Sequence, residues 1–118
     1  MLNSQTQYPM RALEIYRNQD LAGCLTEEND GSYKFEYNQT YFNDSSKSAI
    51  SLTLPKTRQL YKSPVLFPFF FNMLSEGVNR KLQSRLLKID EADHFGLLAA
   101  TAQFDTIGAI TVKPITKT

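Results

Sequence analysis

The chain has 118 residues, of which 42% are hydrophobic, and thirteen Lys and Arg against twelve Asp and Glu give a formal net charge of +1. This length suits one domain with its own core, and the small net charge excludes the basic excess typical of proteins that bind nucleic acid or anionic membranes directly. Cys24 is the single cysteine, so no internal disulfide can form, and the expected location is the reducing cytoplasm.

The first ten residues, MLNSQTQYPM, carry no charge. They lack the basic start and apolar centre of a signal peptide. We therefore expect residues 1–10 to form a disordered or extended leader, residues 11–114 a single domain, and residues 115–118 a tail.

Alternation of apolar and polar residues predicts strands over residues 12–16, 21–26 and 33–37. Turn-forming residues separate them at positions 18–20 and 29–31. The three segments therefore predict an antiparallel meander with one apolar face. The residues expected to face inward are Leu13, Ile15, Leu21, Gly23, Leu25, Tyr33, Phe35 and Tyr37.

The middle of the chain predicts a loop, a strand and a connector. Residues 38–47 are polar apart from two aromatic residues, which indicates a loop with an aromatic anchor and room for one helical turn. Residues 48–54 alternate and predict a strand that Pro55 ends. Residues 56–63 read as a charged connector. The inward residues of the predicted strand are Ile50, Leu52 and Leu54.

The most apolar stretch, PVLFPFFFNMLSEG, runs from Pro64 to Gly77. It is too short to cross a bilayer, so it must be buried against protein. Pro68 suits the first turn of a helix, which we expect to continue to Leu74 and to stop near Gly77. The core residues expected from this segment are Phe70, Phe71 and Leu74.

The same stretch carries more apolar side chains than one interior can enclose. One interior cannot enclose all of Leu66, Phe67, Phe69 and Met73. One or two of them should therefore be exposed or contact a partner, because aromatic residues and Met are enriched at interface centres. Glu76 and Arg80 are spaced i, i+4 and fit a local ion pair in the turn that follows. The candidate partner-binding residues are Leu66, Phe67, Phe69, Met73, Glu76 and Arg80.

The C-terminal third predicts two further helices and a strand. One helix spans about residues 79–89, with an apolar stripe and a basic side that we interpret as solvated rather than as an anion site. Asp93 is the expected N-cap of the next helix, and residues 106–112 predict a buried strand closed by Pro114. The apolar stripes of the two helices comprise Val78, Leu82, Leu86 and Ile89, then Phe95, Leu97, Leu98 and Ala102. The basic side comprises Arg80, Lys81, Arg85 and Lys88.

The order of elements predicts an α+β fold, in which about three helices cover one face of a mainly antiparallel sheet.

The sequence contains little catalytic chemistry. The five glycines are scattered singly, so no glycine-rich phosphate loop is present. Cys24 lies in a predicted strand, where a small buried hydrophobic residue is the commoner explanation, and His94 follows a helix cap. A single histidine leaves little material for a zinc site. We therefore expect no enzymatic activity, no metal and no cofactor.

The ordered segments resemble the N-terminal subdomain of HipA-type serine/threonine kinases, the toxins of bacterial toxin–antitoxin systems. The similarity covers roughly residues 11–114, with Ser75 standing where the family commonly has proline. The segments that carry it are Phe35-x-Tyr37, Ile50-Ser51-Leu52 with Leu54-Pro55, Phe69 to Asn72, Leu74-x-Glu76-Gly77 with Arg80, Asp93-x-Phe95-x-Leu97-Leu98, and Gly108-Ala109-Ile110.

This resemblance implies a non-catalytic protein. In the full-length kinases the subdomain precedes the nucleotide-binding lobe, and tripartite systems encode it as a separate antitoxin, HipS, beside a shortened kinase, HipT, and a DNA-binding protein, HipB. We therefore expect an antitoxin-like protein that binds and inhibits a HipA- or HipT-like kinase, with a HipB-like protein as a further candidate in the complex and no direct contact with nucleic acid or membrane. The alternative is the N-terminal structural or regulatory subdomain of a full-length kinase, and an independent enzyme is the third class.

Overall fold

The computed structural model describes residues 11–74, 85–90, 92–101 and 110–115. Within these ranges the chain forms one antiparallel sheet of five strands in the order β4-β3-β2-β1-β5. Helices pack on one of its faces, so the α+β prediction is confirmed. The strands are β1 Arg11–Arg17, β2 Asp20–Glu27, β3 Tyr33–Tyr37, β4 Leu60–Ser63 and β5 Ile110–Pro114, and the helices are α1 Gln39–Asn43, α2 Pro68–Phe71 and α3 His94–Thr101.

Strands β1 to β3 form the predicted meander. Asn18 and Gln19 make the first turn with positive φ angles of 52° and 74°. In the second turn the Gly31 N–H donates to the Glu28 carbonyl at 3.0 Å, and the φ of Gly31 is 88°. That backbone conformation strains residues with a Cβ, which is why the Asn-Asp-Gly sequence at this position was a reliable turn signal.

A β-bulge changes which residues of β2 face inward. Ile15 pairs with Gly23, but the next residue of β1, Tyr16, pairs with Leu21, so Ala22 is the extra residue. Ala22 is fully buried, whereas Leu21 is half-buried and shares the face of Tyr16. The prediction that Leu21 faces inward is therefore wrong, because strict alternation fails at a bulge.

The inner face of the sheet carries the core. Leu13, Leu25 and Phe35 stand side by side on adjacent strands and are almost completely enclosed. Helix α2 covers them through Phe70, whose ring centroid lies 5.9 Å from that of Phe35. Helix α3 covers the neighbouring part of the inner face through Phe95, whose ring stacks on that of Tyr33 with the centroids 6.2 Å apart.

The predicted strand over residues 48–54 is wrong. These residues form turns and loop, and Leu52 is 99% exposed. Ile50 and Leu54 are buried because the Tyr37 hydroxyl holds this loop: it accepts a hydrogen bond from the Ile50 N–H at 3.1 Å and donates to the Leu54 carbonyl. Burial raises the pKa of Tyr37 to about 12, so this hydroxyl stays protonated and able to donate.

The fourth strand of the sheet lies instead in the stretch predicted to be a connector. Residues Leu60–Ser63 pair with β3 at one edge of the sheet. The opposite edge is β5, where Ile110 and Val112 are buried and Thr111 is half-buried. The strand predicted at residues 106–112 therefore has one buried face rather than two, and its residues 106–109 lie outside the described ranges.

Helix α2 starts at Pro68 as predicted but ends at Phe71, after which residues 72–74 form a turn. Phe70 and Leu74 are buried, as expected. Phe71 is 36% exposed, so its assignment to the core is wrong. Successive residues of a helix point about 100° apart. Phe70 is directed at Phe35 of the sheet, so the Phe71 side chain is turned to the side of α2, where it contacts His94.

Asp93 is the N-cap of α3, as predicted. Its Oδ1 accepts a hydrogen bond from the Gly96 N–H at 3.0 Å, and Phe95, Leu97 and Leu98 are buried. Ala102 lies outside the described residues.

Of the predicted helix over residues 79–89, only residues 85–89 are described, and positions 85–87 are helical. Lys88 has a φ of 59°, Ile89 packs against the core, and Leu86 is 71% exposed, so Leu86 does not belong to a buried stripe. Arg85 is exposed, as expected for a solvated basic side.

Candidate protein-interaction surface

Residues 64–74, which we call the aromatic segment, are more enclosed than their composition predicts. Leu66, Phe67 and Met73 are buried, and Phe69 is partly buried against the core. The expectation that one or two of these four residues stay exposed was based on a longer helix. Phe67 precedes α2 in an extended conformation, with ψ at 135°, and Met73 follows it in a turn, so these side chains are free to turn inward.

The structure therefore removes the reason for selecting Leu66, Phe67 and Met73 as contact residues. Glu76 and Arg80, with their predicted ion pair, lie outside the described residues. Within the aromatic segment, the accessible apolar residues are Val65, which is 63% exposed, and Phe71. The Phe71 ring lies edge-to-face against His94 at 5.0 Å, so His94 takes part in surface packing there.

The outer face of the sheet, opposite the helices, is a second accessible surface. One row of five residues crosses all the strands, and it is flanked by rows of four and three residues. Every one of these positions is half-buried or exposed. The rows are Lys113, Glu14, Cys24, Glu36 and Leu60; then Ala12, Thr26, Lys34 and Lys62; then Thr111, Tyr16 and Leu21. We call these residues the outer face.

Cys24 belongs to the outer face, so the prediction that it is a buried hydrophobic residue is wrong. Its side chain is half-buried, and Sγ lies 3.6 Å from Thr26 Oγ1. The sequence predicted which residues of β1 and β3 face outward. It did not show that Glu14, Cys24 and Glu36 are neighbours, because that depends on the pairing register.

A groove of about 320 Å³ opens beside Cys24 at the end of β5. Ile115 lines it and is held there because its N–H donates to the Ala12 carbonyl at 3.3 Å. Leu21 completes the apolar part of the lining, and the Glu14 and Glu36 carboxylates supply negative charge. We call this the β5 groove.

Glu14 is positioned by a neighbour on its own strand. The Tyr16 hydroxyl donates to Glu14 Oε1 at 2.9 Å, and this hydrogen bond raises the pKa of Tyr16. Lys113 of β5 lies opposite Glu14, and its ammonium is 4.9 Å from the centre of the Tyr16 ring. The Glu14 side chain is therefore held in place on β1, whereas Glu36 is exposed on β3.

A second cavity of about 350 Å³ is lined in part by the same two residues as the β5 groove, Leu21 and Asn38. An ion pair lies in its wall, with Lys47 Nζ 2.6 Å from Asp20 Oδ2. The hydrogen bond to Asp20 raises the pKa of Lys47.

A polar cluster on the inner side fastens α3 to the sheet. Arg11 donates from its two terminal nitrogens to the Asp93 carboxylate at 2.9 and 3.0 Å, and from Nε to Glu27 at 2.7 Å. Its guanidinium also lies 5.0 Å from the centre of the Phe95 ring. The Arg11 hydrogen bonds are the main cause that lowers the pKa of Asp93, assisted by the Gly96 N–H. This geometry assigns the cluster a structural role.

Replacing Asp93 with asparagine should lower stability at neutral pH but not in acid. Asparagine still caps a helix, so the variant isolates the carboxylate charge. Because the folded-state pKa of Asp93 lies below its ordinary value of 3.8, the charge stabilises the fold above that value. This contribution disappears as pH falls through the folded-state pKa.

We expect a loss of about 1 kcal/mol at pH 7, since the pair is about one-third exposed and solvent weakens it. Urea unfolding from pH 7 down to about pH 2.5 should show the two stability curves converging below about pH 4. A constant difference across this range would contradict the assignment. Asp93→Ala is the control. It also removes the helix cap, so it should remain less stable than the wild type in acid.

The described residues contain neither a candidate metal site nor a membrane-spanning helix. No group of three or more His, Cys, Asp or Glu side chains there is placed to hold a metal ion. No helix in those ranges combines the length and apolar character required to cross a bilayer.

These features define a small α+β domain, with a core complete on one face of its sheet and a groove on the other. The family model described as the HipA N-terminal domain matches residues 13–113. The chain belongs to the HipA N-terminal domain family.

Two relatives show how this domain occurs. It is 26% identical over 105 residues to "Putative kinase Y4mE" of Sinorhizobium fredii strain NGR234, covering 89% of this chain but a quarter of that protein's length. It is also 26% identical over 104 residues to a protein of Haemophilus influenzae strain Rd described as "Uncharacterized protein", covering 88% of this chain and 92% of that one. The same domain therefore makes up a small part of a long chain and nearly all of a short one.

Proposed function

We propose that this protein is a non-catalytic, antitoxin-like module that binds a HipA- or HipT-family serine/threonine kinase and inhibits it. The observation that carries the proposal is the occurrence of the domain in two settings. In the kinase-named relative it is attached to a further three-quarters of the chain, whereas the Haemophilus influenzae relative consists almost entirely of the domain. A domain detached from that larger part can contact it only as a separate protein.

Inhibition requires more than binding. A bound protein shifts a kinase toward inactivity only when it binds the inactive conformation more tightly than the active one. We propose that the module fills the position that the N-terminal domain occupies in a full-length kinase and holds the kinase in its inactive conformation. A HipB-like DNA-binding protein is a further candidate in the same cytoplasmic complex.

The second candidate function is that of the N-terminal structural or regulatory subdomain of a full-length HipA-type kinase. The family assignment and the similarity to a quarter of Y4mE favour it. The reading frame distinguishes the two. A kinase gene that starts afresh downstream supports the antitoxin, and a frame that continues through position 118 supports the subdomain.

Co-expression with the HipA-type kinase encoded in the same genome tests the proposal. We expect the protein to restore growth, to co-purify with the kinase, and to reduce kinase autophosphorylation when the purified proteins are mixed. A kinase-inactive variant is the control, because it should bind but cause no growth defect. If the protein neither restores growth nor forms a complex with the kinase, the proposal is overturned. A complex without inhibition would favour the subdomain function.

A further inference from the structure

We infer that the outer face of the sheet, centred on the β5 groove, is the surface on which the kinase docks. This inference rests on the proposed function and assigns it a site that differs from the aromatic segment. Three observations carry it: the unequal covering of the two faces of the sheet, the path of the chain after β5, and the chemistry of the groove.

The first observation is the contrast between the faces. On the inner face Leu13, Leu25 and Phe35 are enclosed by α2 and α3. On the outer face none of the positions in the three rows is buried, although several are apolar. The apolar members of the outer face are Ala12, Tyr16, Leu21, Cys24 and Leu60. A half-exposed mixed surface of this kind resembles the composition of non-obligate interfaces, in which polar and apolar area are both substantial.

The second observation is where the chain leaves the domain. The family match ends at residue 113, within β5, and in a kinase-length relative an N-terminal domain is followed by the rest of the chain. Just beyond β5 the Ile115 N–H donates to the Ala12 carbonyl, and Ile115 lines the groove. In such a relative the chain therefore leaves the domain beside the β5 groove. A kinase bound as a separate chain would present the same surface.

The third observation is the chemistry of the β5 groove. Its lining combines apolar Leu21, Cys24 and Ile115 with the carboxylates of Glu14 and Glu36 and with three amide side chains. Protein interfaces likewise combine apolar contact area with polar groups. Tyr16 already donates to the Glu14 carboxylate, whereas Glu36 is exposed. A segment that covers the groove should therefore bring Lys or Arg to Glu36 beside an apolar anchor.

Two substitutions in the groove and one outside it test this inference. Ile115→Asp places a charge among the apolar residues that line the groove, and Glu36→Lys reverses the charge of one of its carboxylates. Both residues are accessible, so the fold should survive, which matching urea-unfolding midpoints would verify. Val65→Asp is the matched control, because Val65 is an exposed apolar residue of the aromatic segment and lies outside the groove.

We expect each groove variant to weaken kinase binding about tenfold or more, measured by titration calorimetry, and to reduce inhibition in parallel. Val65→Asp should bind within about twofold of wild type. If Val65→Asp loses binding while both groove variants bind normally, this inference is overturned and the proposed function stands. If the wild-type protein does not bind the kinase, both are overturned.

A second copy of the chain is the competing occupant of the outer face. Analytical ultracentrifugation of the isolated wild-type protein distinguishes it from the kinase. A monomer at micromolar concentration supports the kinase as the occupant. A dimer that Ile115→Asp dissociates would overturn the inference.

Discussion

Replacing Phe70 with alanine is expected to lower the free energy of unfolding by about 3–5 kcal/mol. Phe70 is fully buried, and its ring centroid lies 5.2 to 6.3 Å from those of Phe69, Phe35 and Phe67. Truncation removes the apolar contact between α2 and the sheet and leaves a cavity whose walls are other rings. A loss of this size is a large part of the roughly 5–15 kcal/mol by which a typical domain is stable.

The matched control is Phe71→Ala, which removes the same side chain from the next position of the same helix. Phe71 is 36% exposed, so its truncation should cost about 1 kcal/mol or less. Urea unfolding at pH 7, with comparison of the m-values, measures both losses. Equal losses for the two variants would contradict the assignment of Phe70 as the residue that joins α2 to the sheet.

Much of the fold could be predicted from local signals. The meander followed from alternation and from two turns whose residues tolerate positive φ, and the start of α2 followed from Pro68. The N-cap of α3 followed from Asp93, whose side chain satisfies a free N–H of the first turn. In each case the physical cause lies within a few neighbouring residues, so the sequence contains it.

The prediction for the region between β3 and α2 is wrong because residues distant in the sequence determine the structure of that region. Ile50, Leu52 and Leu54 alternate like a strand, but the Tyr37 hydroxyl bonds the backbone of that loop. The true fourth strand, Leu60–Ser63, is a short edge strand with exposed Leu60 and Lys62. Charged residues are common on edge strands, where they discourage pairing with other chains, and this makes such strands resemble connectors.

The outer face was missed for a related reason. The density of apolar residues favours the aromatic segment as a contact surface. Local chain geometry, however, allows most of its side chains to turn inward. The outer-face residues come from all five strands and are individually unremarkable. Their neighbourhood is a product of pairing register and of the bulge at Ala22, and neither is encoded in a local pattern.

Replacing Gly23 with alanine should destabilise the protein by about 1–3 kcal/mol, although alanine is ordinarily the better residue within a strand. A Cβ at this position would lie 2.5 Å from the Glu36 carbonyl oxygen and 2.7 Å from Cζ of Phe35. The first contact is with backbone of the neighbouring strand, which cannot move without disturbing the pairing of β2 with β3. Backbone propensity predicts that Gly23→Ala raises the free energy of unfolding, and steric crowding predicts that it lowers it. The measured sign therefore decides between them.

Gly31 supplies the comparison, because its surroundings are open but its φ is 88°. Gly31→Ala should cost about 1–2 kcal/mol through backbone strain, and Gly31→Asn should recover part of that loss, since asparagine tolerates this conformation. At Gly23 the larger Asn side chain should be worse than alanine. Thermal and urea unfolding of the four variants measure these differences. A Gly23→Ala protein at least as stable as wild type would show that the two strands are not packed this closely around the Phe35 ring.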